Sequence, residues 1–144
     1  MESGPTETIR VRKVVPAPKE RVFRAWTEPS QVKRWWTIGD GWKTASVDVD
    51  LRVGGQFTVR NEQAGEDPLL ITGEFVVVQP PDKLVYTWRF QLPKPEDTLV
   101  TVEFHGLGDA TEVLVTHEHS SKEMGPSAVA GWNAALEGLA SLLR

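Results

Sequence analysis

A chain of 144 residues is about one domain's worth, and 40% hydrophobic with 25% charged residues is a globular balance that excludes disorder, collagen-like repeats and coiled coils. A net charge of −4 gives no basic footprint for a phosphate backbone, which excludes nucleic acid as the main partner. Cys is absent, which excludes disulfides, a catalytic thiol, Cys-ligated zinc and iron–sulfur clusters.

Residues 1–6 read as a flexible terminus, and Thr8 to Val15 (TIRVRKVV) alternates apolar and polar side chains as a half-buried strand does. Pro16-Ala17-Pro18 stops that strand. Pro18 suits a first helical position, with Val22, Phe23 and Trp26 following at helical spacing. Thr27-Glu28-Pro29 ends this helix and starts a second, which carries Val32, Trp35 and Trp36 at i, i+3 and i+4 on one face.

From Trp42 the period becomes two. Ser46 to Leu51 (SVDVDL) puts Val47, Val49 and Leu51 inward and Asp48 and Asp50 outward; Gly54-Gly55 turns the chain, and Gln56 to Arg60 returns with Phe57 and Val59 inward. After the loop NEQAGEDP, the positions Ile71, Gly73, Phe75 and Val77 alternate. Gln79-Pro80-Pro81-Asp82 turns again, and Leu84, Tyr86, Trp88 and Phe90 share the most aromatic face in the chain. Beyond LPKPED, a hairpin pairs Val100, Val102 and Phe104 with Val113, Val115, His117 and His119 across GLGDA. Pro126 to Leu143 carries Val129, Trp132, Leu136, Leu139 and Leu143 at steps of three and four, the stripe of an amphipathic helix.

No composition break marks a second domain, so residues 7–144 read as one α+β domain. A curved antiparallel sheet has one dry face, and the terminal helix is the large apolar element left to cover it. Six Trp against one Tyr makes either the core or a pocket rich in indole.

In order and spacing, VFRAWTEPSQVKRWW, VDVDLRVGGQFTV, GEFVVVQPPDKLVYTW, VTVEF followed by TEVLVTH, and GWNAALEGLASLL resemble the stand-alone bacterial proteins like the activator of heat-shock protein 90 ATPase, within the START-like, Bet-v-1-like (SRPBCC) superfamily. The resemblance implies the helix-grip fold and a hydrophobic cavity between sheet and long C-terminal helix. Eukaryotic activators carry an additional amino-terminal domain that engages the chaperone. This chain starts about seven residues before its first strand, so chaperone contact is not expected.

Which residues carry chemistry is left with two readings at most positions. Strand parity turns His117 inward, as a ligand contact or proton shuttle on one reading and as a core histidine satisfied by a carbonyl or a Trp on the other. His117-Glu118-His119 invites a zinc site, but His105 pairs near Thr111 and lies ~20 Å from His117 at strand rise, and HEH lacks the helical HExxH spacing, so no metal is expected. Tyr86, Trp88 and Phe90, with Trp132 and Asn133, line an aromatic cavity or form a packed core in which each buried ring contributes ~2 to 3 kcal/mol. Gly73, Gly131 and Gly138 favour the cavity by leaving space. Trp35, Trp36 and Trp42 either gate its mouth or staple the short helices to the sheet, with Gly39-Asp40-Gly41 as connector. Asp48, Asp50, Glu74, Glu103, Glu112 and Glu118 have outward parity, and no G-x-S-x-G elbow, P-loop or G-x-G-x-x-G is present.

The leading expectation is a carrier or sensor of a small apolar or aromatic molecule, held by Phe57, Phe75, Tyr86, Trp88, Val102, His117, Trp132 and Leu136 with Trp36 at the mouth, and needing no cofactor. The alternatives are a cyclase, isomerase or dehydratase with His117 as proton shuttle and Tyr86 as its partner, and a protein-interaction or chaperone-associated module, homodimeric through exposed sheet or Trp35. The sequence shows no apolar run of about 18 residues and no secretory start, so no membrane partner and a cytoplasmic location are expected.

Overall fold

The computed structural model describes residues 6–37, 41–90, 98–121 and 125–144. Their order is β1 (Thr6–Val15), α1 (Lys19–Thr27), α2 (Pro29–Trp35), β2 (Lys43–Val49), β3 (Gln56–Glu62), β4 (Leu69–Gln79), β5 (Lys83–Phe90), β6 (Thr98–Gly106), β7 (Thr111–Ser121) and α3 (Gly125–Leu142). The strands form one seven-stranded sheet in the order β1-β7-β6-β5-β4-β3-β2, every neighbouring pair antiparallel. The sheet curls around α3 as a half-barrel, the α+β helix-grip arrangement expected. No helix among the described residues is long and apolar enough to cross a membrane.

The strands form where period-two patterning predicts them, because alternation lets one face of the sheet enter the core while the other meets water. Ile9, Val11, Phe57, Val59, Ile71, Phe75, Leu84, Tyr86, Trp88, Val100, Val102, Phe104, Val113 and Val115 all belong to one buried cluster with Trp132, Leu136 and Leu139 of α3. Asp48, Asp50 and Glu74 on the opposite face are exposed. Lys13 on β1 bonds Glu137 on α3 at 2.5 Å, which marks where the helix crosses the sheet edge.

Several local expectations are corrected. Pro18 sits at the N-cap of α1, one residue before the first turn, whereas Pro29 opens α2. Trp36 is not on the face of α2: it is the C-cap, in extended conformation, and leaves the helix toward the sheet. Leu51 is exposed because β2 ends at Val49 and the chain is already turning, with Asp50 N–H bonded to Gln56 O and Gly55 N–H to Arg52 O. In β4 the register against β5 shifts between Phe75 and Val77. That irregularity reverses the parity, so Val78, not Val77, stands opposite Leu84 and packs on the core, while Val76 is exposed. Val129 is also exposed, leaving Trp132, Leu136 and Leu139 as the buried stripe of α3. The connector 38–40, the loop 91–97 and the side chains of Phe90 and His119 lie outside the described residues.

Two glycines expected to leave space do the opposite. A Cβ on Gly73 would stand 1.9 Å from Thr87 O and 2.4 Å from the Phe57 ring, and one on Gly138 would stand 2.5 Å from Trp35 O. At Gly73 the Phe57 ring fills the place a side chain would take; at Gly138 the end of α2 lies against α3. Of the three, Gly131 faces open space.

Candidate functional site

Five of the six tryptophans meet in one aromatic cluster. Trp26 on α1 lies at 4.9 Å from Trp35 on α2 and parallel to Trp132 on α3 at 6.2 Å. Trp36 reaches Trp88 at 5.4 Å and stands edge-on to Trp132 at 5.6 Å, and Trp88 meets Trp132 at 5.2 Å. Such offset and edge-to-face contacts match the indole quadrupole and add to area burial. Trp35 is 3% exposed and donates its N–H to Ala25 O at 2.8 Å, so it staples α2 to α1 and offers no dimer contact. Trp42 is half-buried.

Next to this cluster lies a cavity of about 50 Å³. Its roof is Trp26 of α1, Val32 and Trp35 of α2, and Trp36 where the chain leaves α2. Its floor is Val47 and Val49 of β2, Phe57 and Val59 of β3, Phe75 of β4, and Tyr86 and Trp88 of β5. The expected position is therefore corrected: the short helices α1 and α2 cover this cavity, and none of the described side chains of α3 is among its walls. Of the expected contacts, Trp36, Phe57, Phe75, Tyr86 and Trp88 line it. Val102, Trp132 and Leu136 are packed in the core at 0%, 4% and 1% exposure, and His117 is buried apart from it. The walls missed in the sequence are Trp26, Val32, Trp35, Val47, Val49 and Val59. For Val47, Val49 and Val59 the signal is the inward parity of β2 and β3, whereas the spacing of Trp26, Val32 and Trp35 on the short helices does not say what those helices cover.

The cavity is apolar and small. It holds about four water-sized groups, against about 300 Å³ or more in sites for drug-sized ligands. Phe57, Phe75 and Tyr86 form an aromatic triangle with centroids 5.1 to 5.9 Å apart. Burial raises the Tyr86 pKa far above the ordinary phenol value, outweighing the opposite effect of the neighbouring Trp26 side chain. Tyr86 is thus a neutral phenol at any physiological pH. The Trp36 indole N–H is buried and has no hydrogen-bond partner among the described residues; the same is true of Oδ1 of Asn61, a wholly buried side chain further along β3 that is not part of the wall.

His117 is held elsewhere, in a chain of hydrogen bonds with one direction. The Trp132 N–H donates to Nδ1 at 3.1 Å, so Nδ1 carries no hydrogen and the neutral ring is protonated on Nε2. Nε2 then donates to Thr98 Oγ1 at 2.6 Å, and the Thr98 hydroxyl donates to Trp88 O at 3.0 Å. Burial pushes the His117 pKa down to about 4, and a second ring proton would face the Trp132 N–H head-on. Both nitrogens are engaged and neither reaches the cavity, so His117 is the core histidine satisfied by a Trp, and the proton-shuttle reading loses its residue. His105 is exposed beside Glu103 at 3.6 Å, and among the described residues no group of three His, Cys, Asp or Glu is placed to hold a metal ion.

A family model described as Activator of Hsp90 ATPase homolog 1-like protein matches residues 16–144. Among solved structures, protein CV1439 from Chromobacterium violaceum is similar at 26% identity and a TM-score of 0.83, covering 96% of this chain and 98% of its own. Mll3558 from Rhizobium loti is similar at 28% identity and a TM-score of 0.81, over 97% and 99% of the two chains. An AHSA1-like protein from Aeromonas hydrophila is similar at 25% identity and a TM-score of 0.80, over 94% and 90%. Among curated proteins no match is found.

Proposed function

Since the chain belongs to the Activator of Hsp90 ATPase homolog 1-like family, whose fold often binds hydrophobic ligands, we propose that it binds a small uncharged apolar or aromatic molecule, as a cytoplasmic carrier or sensor. The observation that carries this reading is the indole- and valine-walled cavity under α1 and α2, which puts hydrophobic surface around a space and no charged side chain in its walls. The size of that space limits the guest to a few heavy atoms. Phe57, Phe75, Tyr86, Trp88 and Trp36 touch it in this reading, while Val102, His117, Trp132 and Leu136 brace the wall from behind. Catalysis, a cofactor and chaperone contact form no part of the reading.

The test is a titration with methylenecyclopentane, a compact apolar ring, read by Trp emission and by native mass spectrometry. A saturable change is expected in the wild type, because Trp26, Trp35, Trp36 and Trp88 all line the cavity, and it is expected to be lost in Val59→Phe, which places a ring in the same space. Emission that does not saturate, or that responds identically in Val59→Phe, would overturn the reading.

A further inference from the structure

Trp26, Trp36 and Trp88, all walls of the cavity, lean on one indole behind it. Trp132 of α3 lies parallel to Trp26 at 6.2 Å, edge-on to Trp36 at 5.6 Å and tilted against Trp88 at 5.2 Å. Those three walls come from α1, the end of α2 and β5, so Trp132 is where separate elements meet. An indole ring has no symmetry, and turning it changes all of these contacts at once. Trp132 is 4% exposed, and its N–H, which can only donate, goes to Nδ1 of His117 at 3.1 Å. The imidazole is fixed in turn at its far side. Nε2 meets Thr98 Oγ1 at 2.6 Å, and the Thr98 hydroxyl bonds the main-chain carbonyl of Trp88 at 3.0 Å.

From this we infer that His117 is a positioning residue for the cavity: its Nδ1 fixes the rotation of Trp132, Trp132 sets where Trp26, Trp36 and Trp88 stand, and a group that never meets the guest governs how well the walls receive it. Without an acceptor at that place the Trp132 N–H is buried and unanswered, so the ring is drawn to other rotations. The state with its walls in place then falls in population by the worth of one neutral hydrogen bond, about fivefold. A guest that binds this state loses the same factor in apparent affinity. The inference rests on the cavity being a binding site and adds what holds its shape.

Two substitutions separate the acceptor from the bulk of the ring. His117→Asn puts an amide oxygen where Nδ1 stands and keeps an acceptor for Trp132, whereas His117→Leu fills the site without one. Wild type and both variants are titrated with methylenecyclopentane by calorimetry, and the indole N–H signals are recorded in ¹⁵N-labelled protein, Trp36 and Trp132 being assigned by their loss in Trp36→Phe and Trp132→Phe. In His117→Leu an affinity about fivefold weaker is expected, with the Trp132 indole proton moved upfield and the Trp36 signal displaced as the neighbouring ring turns. His117→Asn is expected to keep the affinity and both signals close to wild type. Trp132→Phe removes the same hydrogen bond from its other end and carries the affinity test if His117→Leu does not fold. Equal affinity throughout with the Trp36 signal unmoved, or a loss in His117→Asn as large as in His117→Leu, overturns the positioning role and leaves the cavity-binding reading in place. Binding in none of the proteins, wild type included, overturns the cavity-binding reading, and the Trp36 signal in His117→Leu, moved or unmoved, then decides whether His117 orients Trp132.

Discussion

Around α3 the interior is filled, and under α1 and α2 it is not, although indole and branched aliphatic side chains build both regions. Beside α3, Leu136, Leu139 and Ala140 are at most 1% exposed against Val100, Val102, Val113 and Val115, each at 0%. Polar groups there are answered: Trp132 donates to His117, His117 to Thr98, and Thr98 to a main-chain carbonyl. Under α1 and α2, Val47 and Val49 are half-buried, the Trp36 N–H has no acceptor among the described residues, and a cavity remains. A long helix presents a continuous stripe that the curled sheet can close upon. Two helices of 9 and 7 residues, broken at Glu28 and Pro29, cannot. The difference between packed core and open cavity thus follows from helix length more than from side-chain type.

The sharpest way to break this comparison is a pair of truncations. Leu139→Ala in the filled region is expected to destabilise the fold by ~2 to 5 kcal/mol, through lost transfer energy and a new void. Val49→Ala borders space that already exists and is half exposed, so about 1 kcal/mol is expected. Urea unfolding of both variants checks this, and equal losses would mean that the two regions are packed alike.

Next in size is pH. The His117 pKa is held near 4 in the fold against 6.5 in the unfolded chain, so between those values the unfolded state binds the proton and the folded state refuses it. The stability this protects is whole above pH 6.5 and is lost as pH falls toward 4, by about 3 kcal/mol in all at 1.36 kcal/mol per unit. Denaturation midpoints at pH 7, 6 and 5 (chosen to span about half that window) should decline in the wild type, and His117→Gln should flatten that part of the decline. A wild-type curve without slope between pH 7 and 5 would show that the ring is not held neutral by its surroundings.

The smallest effects come from two glycines of α3. Gly138→Ala presses a methyl group against Trp35 O and is expected to cost ~1 to 3 kcal/mol. Gly131→Ala meets open space and should stabilise by about 0.5 to 1 kcal/mol through helix propensity. Thermal melts of opposite sign for two identical substitutions on one helix would locate the tight contact between α2 and α3.

The sheet was legible in the sequence because alternation in β2 to β7 is strong and each segment is bounded by Gly, Pro or Asp. Parity failed where geometry interrupts it: the irregular pairing after Phe75 shifts the inward role from Val77 to Val78, and the turn after Val49 carries Leu51 to the surface. Of the site, the aromatic positions Tyr86 and Trp88 were readable from their strand. The roof was not, since nothing in the spacing of Val32, Trp35 and Trp36 says that the chain leaves the helix at Trp36. Gly73 and Gly138 misled for a related reason: a missing side chain signals close approach as readily as empty space, and the approaching groups, the Phe57 ring and the Trp35 carbonyl, come from distant positions.

The first two strands of the chain stand at opposite rims of the sheet, and α1 and α2 lie between them in the chain, as a strap. Any guest that lifts this strap therefore tugs both rims at once. Were the cavity filled as proposed, a displacement of α1 and α2 would be passed to β1 and β2, the rim strands between which those helices lie in the chain.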